Sequence, residues 1–318
     1  MKLITHKANL RYLTGFTGSK GFLLLGTKKN YFITDSRYIG FAKKLQKKKT
    51  RIFFEVTDSF SKIISKAKVI EFEADHITVS QLKAWKKKFK NKKFVPIKPI
   101  SRVKKTDNEI KLLKKSQQLN KVAMQRIRKL LKPGVTELEI AWKIREMAHK
   151  LNAEGLSFTP IVAFGPNSAI PHHQNTNRRL KKRDIALIDM GLVYKGYCSD
   201  LSRTFFIGKP TPEQKAIYKK VEAAHSASIK AIKPGISASK LDRIARKEMG
   251  TDKEFFTHSL GHGVGLEIHE APRLSIKSKD RLQENSIITI EPGIYLPGKF
   301  GIRIEDMILV KANGFTKL

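Results

Sequence analysis

Short apolar runs alternate with basic stretches through the first hundred residues of the chain. GFLLLG and NYFITD are short and apolar, and the residues 27–30 between them predict a turn joining two paired strands. RIFFEV and KVIEFE predict two further strands, and SQLKAWKKKFK predicts a helix. Pro96 and Pro99 then interrupt FVPIKPISRVKKTDNE, which has no apolar periodicity, so we place a domain boundary near residue 100.

Beyond this boundary the apolar positions recur at helical spacing. Thr106 and Glu109 match a capping box that opens a long amphipathic helix, and Thr136 and Glu139 match a second box after a Pro-Gly pair. The same helix–Pro-Gly–helix order returns about one hundred residues later, where IKPGISASKLDRIARKEM aligns with LKPGVTELEIAWKIREMA. This internal repeat predicts two related halves in residues 101–318.

Each half is followed by an apolar strand–turn–strand segment that carries two acidic residues. Asp189 and Asp200 flank a turn near residues 194–196, and Glu291 and Glu305 flank a turn near residues 297–299. Residues equidistant from a hairpin turn face each other, with Cβ atoms about 4.5–5.5 Å apart. We therefore expect two facing pairs of acids, which the repeat brings together.

Four converging carboxylates on apolar strands require a compensating positive charge, because a buried unpaired carboxylate is very costly. Arg203 and Arg303 are one source of that charge, although two arginines neutralise four acids poorly. Divalent cations do so better, and His262 offers the single imidazole that completes an oxygen-rich set of ligands. Such a set favours manganese or another hard-to-borderline ion over a structural zinc.

The overall charge raises the question of a nucleic-acid partner. The chain has 318 residues, with 64 Lys+Arg against 28 Asp+Glu and a net charge of +36. Runs such as KKLQKKKTR (43–51) and RRLKKR (178–183) are spread along the chain and rarely alternate with aromatic residues. This distribution favours a solvated basic surface that binds nucleic acid non-specifically at most.

Cysteine content and hydropathy bear on location. The single cysteine, Cys198, excludes an intramolecular disulfide and a thiolate-rich metal site, and it fits a reducing compartment. Neither a signal peptide nor a window of about 18 apolar residues is recognisable in the sequence. We therefore expect a cytoplasmic protein with no membrane partner.

The contexts of the four acids and His262 resemble a known family. LIDMG, SDLSRTF, GHGVGLEIHE, IEPGIY and GIRIED resemble, in order, the metal-ligand segments of the pita-bread metallopeptidases, which include methionyl aminopeptidase, aminopeptidase P and prolidase. The resemblance implies an α/β (α+β) architecture with a pita-bread fold of pseudo-twofold halves over residues 101–318. YLTGFTGSKGFLLL and YFITDSRY resemble the creatinase/prolidase-type N-terminal domain, which we assign to residues 1–100. Methionyl aminopeptidases lack that domain, so the proline-specific branch is favoured.

The resemblance also implies a role for each ligand. Asp189 chelates one divalent ion, His262 and Glu291 bind the other, and Asp200 and Glu305 bridge the two. Mn²⁺ is the expected ion, with Co²⁺ and Zn²⁺ as alternatives, and a hydroxide held between the two ions attacks the scissile carbonyl. Glu291 also fits a proton shuttle to the leaving amine.

Four further residues correspond to substrate-side groups of the family. His172 matches a substrate-binding histidine, although a one-residue slip would exchange it with His173. His269 matches the histidine that steadies the tetrahedral intermediate, His258 faces the residue after the cut, and Arg303 lies near the site. The remaining histidines lie in segments without other polar clusters and are expected to be surface or core residues: His6, His76, His149 and His225.

The implied function is removal of an N-terminal residue that precedes proline, by an enzyme that forms a homodimer. Whether the peptide substrates with proline at the second position are dipeptides or longer chains stays open. The alternatives are a methionyl aminopeptidase-like activity and a non-catalytic pita-bread protein that uses its basic surface to bind nucleic acid. The complete set of five metal ligands argues against the non-catalytic alternative.

Overall fold

The computed structural model describes residues 1–46 and 50–318, and these divide into two compact units, Met1–Ser101 and Arg102–Leu318. The centre of the basic run 43–51, residues 47–49, lies outside the described residues. The strands of the first unit are β1 (Lys2–Ile4), β2 (Phe22–Leu25), β3 (Asn30–Ile33), β4 (Glu55–Thr57), β5 (Val69–Glu73) and β6 (Lys93–Ile97). Its helices are α1 (Lys7–Thr14), α2 (Ser36–Gln46), α3 (Phe60–Ile64) and α4 (Val79–Lys88).

The six strands form one mixed sheet in the order β4-β3-β2-β1-β5-β6. The predicted hairpin of GFLLLG and NYFITD is confirmed, since β2 and β3 pair antiparallel with Leu25 opposite Asn30. The expectation of an irregular segment from residue 94 was wrong at its start, where β6 pairs parallel with β5. Pro96 is tolerated there because β6 is an edge strand, where a missing N–H need not break the ladder.

The second unit contains four long helices and thirteen strands among the described residues. Its helices are α5 (Asp107–Arg128), α6 (Glu137–Lys150), α7 (Pro212–Lys230) and α8 (Ala238–Met249). Its strands are β7 (Gly155–Leu156), β8 (Ile161–Phe164), β9 (Ile185–Met190), β10 (Leu192–Tyr194), β11 (Tyr197–Cys198), β12 (Leu201–Phe206), β13 (Gly261–Gly263), β14 (Glu270–Leu274), β15 (Ile287–Ile290), β16 (Gly293–Leu296), β17 (Phe300–Arg303), β18 (Asp306–Lys311) and β19 (Gly314–Lys317).

Both predicted capping boxes are present at the starts of α5 and α6. In each, the threonine side chain accepts from the glutamate N–H three residues on, and that glutamate accepts from the N–H of the threonine. A cap of this kind satisfies two helix donors and is worth about 1 kcal/mol. These caps fix where the two helices begin.

The internal repeat predicted from the Pro-Gly segments is visible in the backbone. Gly134 ends the turn between α5 and α6 and donates to the carbonyl of Leu180 at 2.9 Å. Gly235 occupies the same position between α7 and α8 and donates to Leu282 at 2.8 Å. Both glycines have positive φ, +102° and +82°, a conformation that residues with a Cβ avoid. The two halves therefore share a turn as well as a sequence pattern.

The strands that follow each helix pair form two separate sheets. In the first half β12-β9-β8 form a three-stranded sheet, and in the second β14-β13-β15-β18-β19 form a five-stranded sheet. Strands β9, β15 and β18 are buried almost throughout, so their polar residues are held inside the unit. None of the helices in the described part of the chain combines the length and the apolar character needed to cross a bilayer.

Candidate metal centre

The first pair of acids lies on the hairpin of β9 to β12. Lys195 and Gly196 both have positive φ and form the turn, so its centre lies one residue beyond the midpoint of Asp189 and Asp200. Asp189 therefore pairs with Ser202, and the expectation that Asp189 and Asp200 are directly opposite was wrong. Because side chains alternate along a strand, an offset of two residues keeps both acids on one face, as diagonal neighbours.

The second pair of acids, Glu291 and Glu305, lies where the strand pairing of a long hairpin is interrupted. Ile290 pairs with Asp306, and Gly293 pairs with Arg303, in one continuous register. Glu291 and Glu305 occupy matching positions between these two ladders, where each strand turns to other partners. The N–H of Glu291 donates to Leu260 O at 2.8 Å, and the N–H of Glu305 donates to Ser202 O at 3.1 Å. The break thus ties the second hairpin to the first.

His262 meets the acids from β13. One potential ligand atom from each of Asp200, His262 and Glu305 lies within 4.8 Å of those of the other two. His262 Nε2 is 3.6 Å from Asp200 Oδ2 and 3.5 Å from Glu291 Oε1. Its Nδ1 is 3.0 Å from the carbonyl of Gly263, an arrangement in which Nδ1 carries the proton and Nε2 presents a lone pair to the acids.

Asp189 is oriented by an arginine. Arg303 Nη2 donates to Asp189 Oδ2 at 2.7 Å, and Arg303 Nε donates to Ser202 Oγ at 2.9 Å. Ser202 Oγ in turn donates to Glu305 Oε2 at 2.9 Å. One arginine and one serine therefore link an acid of the first hairpin to an acid of the second.

Three carboxylate oxygens of the cluster are suited to bind a cation. Asp189 Oδ1, Asp200 Oδ1 and Glu305 Oε1 are buried and have no hydrogen-bond donor among the described residues. Buried carboxylate oxygens without donors are rare in folded proteins and costly unless a positive charge faces them. Carboxylate oxygens with one imidazole nitrogen form a donor set that suits divalent ions.

The pKa values of the acids and of His262 also fit a metal site. Burial, followed by the charges of neighbouring acids, raises the pKa of Asp200 and of Glu305 well above the usual range. Burial also raises the pKa of Glu291 to about 8. Burial, followed by the charge of His269, lowers the pKa of His262 to about 4 and keeps this imidazole neutral. A neutral imidazole is the form that binds a metal, and metal binding would release the protons that the acids hold.

A cleft of about 1280 Å³ opens over the acids. Its wall includes His172, His258 and His269, the three histidines predicted to face the substrate. The rings of His262 and His269 meet edge to face, with centroids 4.4 Å apart. His258 Nδ1 is 3.9 Å from Glu291 Oε2, and burial lowers the pKa of His258 to about 3. The structure thus brings all the predicted site residues to one cleft.

The two neighbouring histidines 172 and 173 have different surroundings. His172 is exposed at the cleft, whereas His173 is buried and its Nε2 lies 2.8 Å from Glu137 Oε2. Glu137 also accepts from the N–H of Phe164 and the side chain of Asn167. His173 is therefore held in a structural network, which leaves His172 free to contact a ligand.

Tyr295 is a site residue that the sequence reasoning missed. Its hydroxyl accepts from Arg303 Nη1 at 2.6 Å and lies 2.8 Å from His258 Nε2. Burial raises the pKa of Tyr295 to about 12, so its hydroxyl stays protonated. The available signal was its place in IEPGIY, four residues after Glu291, where strand alternation puts both on one face.

His225 is a buried residue, which is one of the two expected placements, but it also has polar contacts that were not predicted. Its Nε2 lies 3.1 Å from Asp306 Oδ2, and Arg203 Nη2 donates to Asp306 Oδ1 at 2.7 Å. Arg203 also donates to the carbonyl of Glu305. Arg203 thus pairs with an acid next to the cluster, and it is not the compensating charge of the four acids.

Comparisons with known proteins identify the family of the chain. The model of metallopeptidase family M24 matches residues 111–312, and the creatinase/prolidase N-terminal domain matches residues 1–103. The chain belongs to metallopeptidase family M24. The class defined by the fold and the acid cluster is therefore a metal-dependent peptidase.

Particular relatives cover nearly the whole chain. A Xaa-Pro dipeptidase of Pyrococcus horikoshii is 35% identical over 99% of this chain and 91% of its own length. A putative Xaa-Pro aminopeptidase of Mycoplasma genitalium is 36% identical over 97% of this chain and 89% of its own. Among solved structures, the Xaa-Pro dipeptidase of Bacillus anthracis superposes with a TM-score of 0.95 at 35% identity, covering 99% of this chain and 91% of that one.

Proposed function

We propose that this chain is a metal-dependent exopeptidase that hydrolyses the bond between an N-terminal residue and proline. The observation that carries the proposal is the convergence of three buried acids, the partly buried Glu291 and one neutral imidazole at a cleft. Relatives named as Xaa-Pro dipeptidases and aminopeptidases, at about 35% identity along nearly the full chain, support the substrate class.

Two divalent ions are held, in this proposal, by Asp189, Asp200, His262, Glu291 and Glu305. The donor-free oxygens of three of these acids support the assignment. When bound, such ions polarise a carbonyl and supply a water nucleophile at neutral pH. Manganese is the favoured ion because four of the five ligands are carboxylates, and Co²⁺ and Zn²⁺ are the alternatives.

The other side chains of the cleft have separate roles in the proposed reaction. Glu291 accepts a proton from the attacking water and delivers it to the leaving nitrogen, a role supported by its place between His262 and His258. His269 donates to the developing oxyanion, and His172 contacts the bound peptide. His258 faces the residue after the cut, held there by Tyr295.

Arg303 acts as a positioning residue. It fixes the carboxylate of Asp189 and the hydroxyl of Tyr295, and it reaches both from a buried position. Loss of this arginine therefore changes the geometry of a proposed ligand and of a proposed substrate contact at once.

Proline is a distinct substrate because its nitrogen carries no N–H and its φ is fixed. A peptidase site that requires that N–H cannot hold such a bond in a productive orientation. The cleft is lined instead by His258 and Arg303, and the buried Tyr295 contacts both side chains through its hydroxyl. We infer that this wall receives the proline ring.

The proposal extends to location and assembly. A single buried cysteine fits the reducing cytoplasm, and the resemblance to aminopeptidase P and prolidase supports a homodimer. The basic surface, net charge +36, is expected to attract polyanions without specificity.

The test is hydrolysis by protein freed of metal and reloaded with Mn²⁺, with Xaa-Pro and Met-Ala peptides as parallel substrates. We expect cleavage of Xaa-Pro peptides that depends on the added metal, with little cleavage of Met-Ala. Preference for Met-Ala would favour the methionyl aminopeptidase alternative. Absence of cleavage of both, in protein shown to bind metal, would favour the non-catalytic alternative.

A further inference from the structure

Three polar side chains of α5 are completely buried against the hairpin that carries the first pair of acids. Ser116, Gln117 and Asn120 have no exposed surface. They lie within about one helical turn, and residues three or four apart share one face of a helix. The buried face of an amphipathic helix is normally apolar, so these three residues are exceptions to the pattern of α5.

Gln117 contacts the backbone of the proposed ligand Asp200 directly. Its Nε2 donates to Asp200 O at 2.9 Å. Asp200 lies between β11 and β12, outside both strands, and its N–H donates to Met307 Sδ at 3.3 Å. Both polar groups of its backbone are therefore bonded to side chains. The position of this ligand is set by α5 and β18 at a point where the hairpin has no strand structure.

The neighbouring side chains of α5 hold the same hairpin beside the other acid. Asn120 Nδ2 donates to Met190 O at 2.8 Å, and Met190 follows the proposed ligand Asp189 in sequence. Ser116 Oγ donates to Leu192 O at 2.8 Å, a carbonyl that also accepts from two other serines. The two amides of α5 thus fix the backbone at one acid of the first pair and beside the other.

The hydrogen bonding of these amides is incomplete. Gln117 Oε1 and Asn120 Oδ1 are buried and have no hydrogen-bond donor among the described residues. A buried amide oxygen without a donor is costly, and apolar side chains would avoid that cost. Local departures of this kind occur mainly at functional sites. The bare oxygens therefore favour a role in the metal centre over a role in stability alone.

We propose that Gln117 is a positioning residue, which holds the backbone of Asp200 so that its carboxylate meets His262 and Glu305. Asn120 supports the hairpin beside Asp189 in the same way. The inference rests on the proposed metal centre and deepens it by assigning the support of a ligand to α5. Contacts that orient metal ligands change metal affinity about 10- to 100-fold when they are removed.

The test measures Mn²⁺ binding to metal-free protein by calorimetry in the wild type, Gln117→Met and Gln118→Met. Methionine has nearly the shape of glutamine but no N–H to donate. Gln118 is the next residue of α5 and is exposed, so its variant is the matched control. We expect Gln117→Met to weaken Mn²⁺ binding about 10-fold and Gln118→Met to keep the wild-type affinity.

A second readout is the EPR spectrum of the same proteins loaded with Mn²⁺, which distinguishes two coupled ions from isolated ions. Gln117→Met is expected to increase the share of isolated ions, because Asp200 is the proposed bridge between the two. Gln117→Asn keeps an amide but is one methylene shorter, so it is also expected to weaken binding. It takes the place of Gln117→Met if that variant does not fold.

The outcomes separate positioning from stability. Wild-type Mn²⁺ affinity in folded Gln117→Met overturns the inference, even if urea unfolding shows that the variant is less stable. An equal loss of affinity in Gln118→Met overturns it as well. Binding is measured without substrate, so a failure of the proposed peptidase activity leaves this readout unaffected. If the wild type binds no Mn²⁺, the proposed metal centre itself fails, and this is seen before any variant is compared.

Discussion

Arg303 and Asp189 form a buried ion pair, with Nη2 donating to Oδ2 at 2.7 Å and side chains 3% and 13% exposed. The charge of Arg303 is therefore paired with Asp189, which the sequence predicts to be a metal ligand. The same guanidinium donates to Ser202 and Tyr295, so it connects both hairpins of the acid cluster. The centre is therefore held by a hydrogen-bonded framework in addition to any ion it binds.

Arg303→Met is expected to destabilise the metal-free protein by about 3–5 kcal/mol, because it leaves the buried Asp189 without its partner. Urea unfolding measures this free energy. The double variant Arg303→Met with Asp189→Asn removes both charges and should recover part of the loss. A double variant no more stable than Arg303→Met would contradict the pairing.

Tyr295→Phe is expected to lower kcat/KM for a Xaa-Pro peptide about 10-fold while leaving metal content intact. The phenol hydroxyl joins Arg303 and the neutral His258, and its loss removes a hydrogen bond to a charged group. Tyr218→Phe, a half-buried tyrosine packed on Phe206 away from the cleft, is the matched control. Equal activity in the two variants would refute a role for Tyr295 in the site.

The acid cluster also predicts how pH and metal act on stability. In the metal-free protein burial raises the pKa of Glu291 to about 8, above the value of about 4.3 for an unfolded glutamate. Between these values the folded state holds more protons than the unfolded state, so this group lowers stability as pH rises. Bound metal takes the place of the protons and stabilises the folded state.

We therefore expect the Tm of metal-free protein to fall from about pH 5 to about pH 8 and the fall to shrink when Mn²⁺ is present. About 1 kcal/mol corresponds to roughly 2–4 °C of Tm in a domain of this size. Glu291→Gln, which cannot ionise, should reduce the fall in the metal-free protein. An identical pH dependence with and without Mn²⁺ would show that the acids are not linked to metal.

Much of this centre could be predicted from sequence because its signals are local. Capping boxes at Thr106 and Thr136 are four-residue patterns, and the structure has both. The order and contexts of the acids and His262 depend only on short segments, and they come together at one cleft.

Other features depend on information that short segments do not carry. Which residues of β9 and β12 face each other depends on whether the turn is centred between residues 195 and 196 or one residue earlier, and composition does not fix that. The contacts of Tyr295, His225 and Asp306 join residues that are far apart in sequence or on different elements. Helices α1 and α2 also went unpredicted, since their apolar positions are few and basic residues interrupt them.

The most direct test of the central claim measures bound metal and Xaa-Pro hydrolysis on the same samples of wild type, Asp200→Asn and Asp184→Asn. Asp184 is a carboxylate paired with Arg178 outside the cluster, so its variant controls for the lost charge. The account predicts about two ions per chain and full turnover in the wild type and in Asp184→Asn, with both metal and turnover lost in Asp200→Asn. Full turnover by Asp200→Asn, or by wild-type protein without metal, would contradict it.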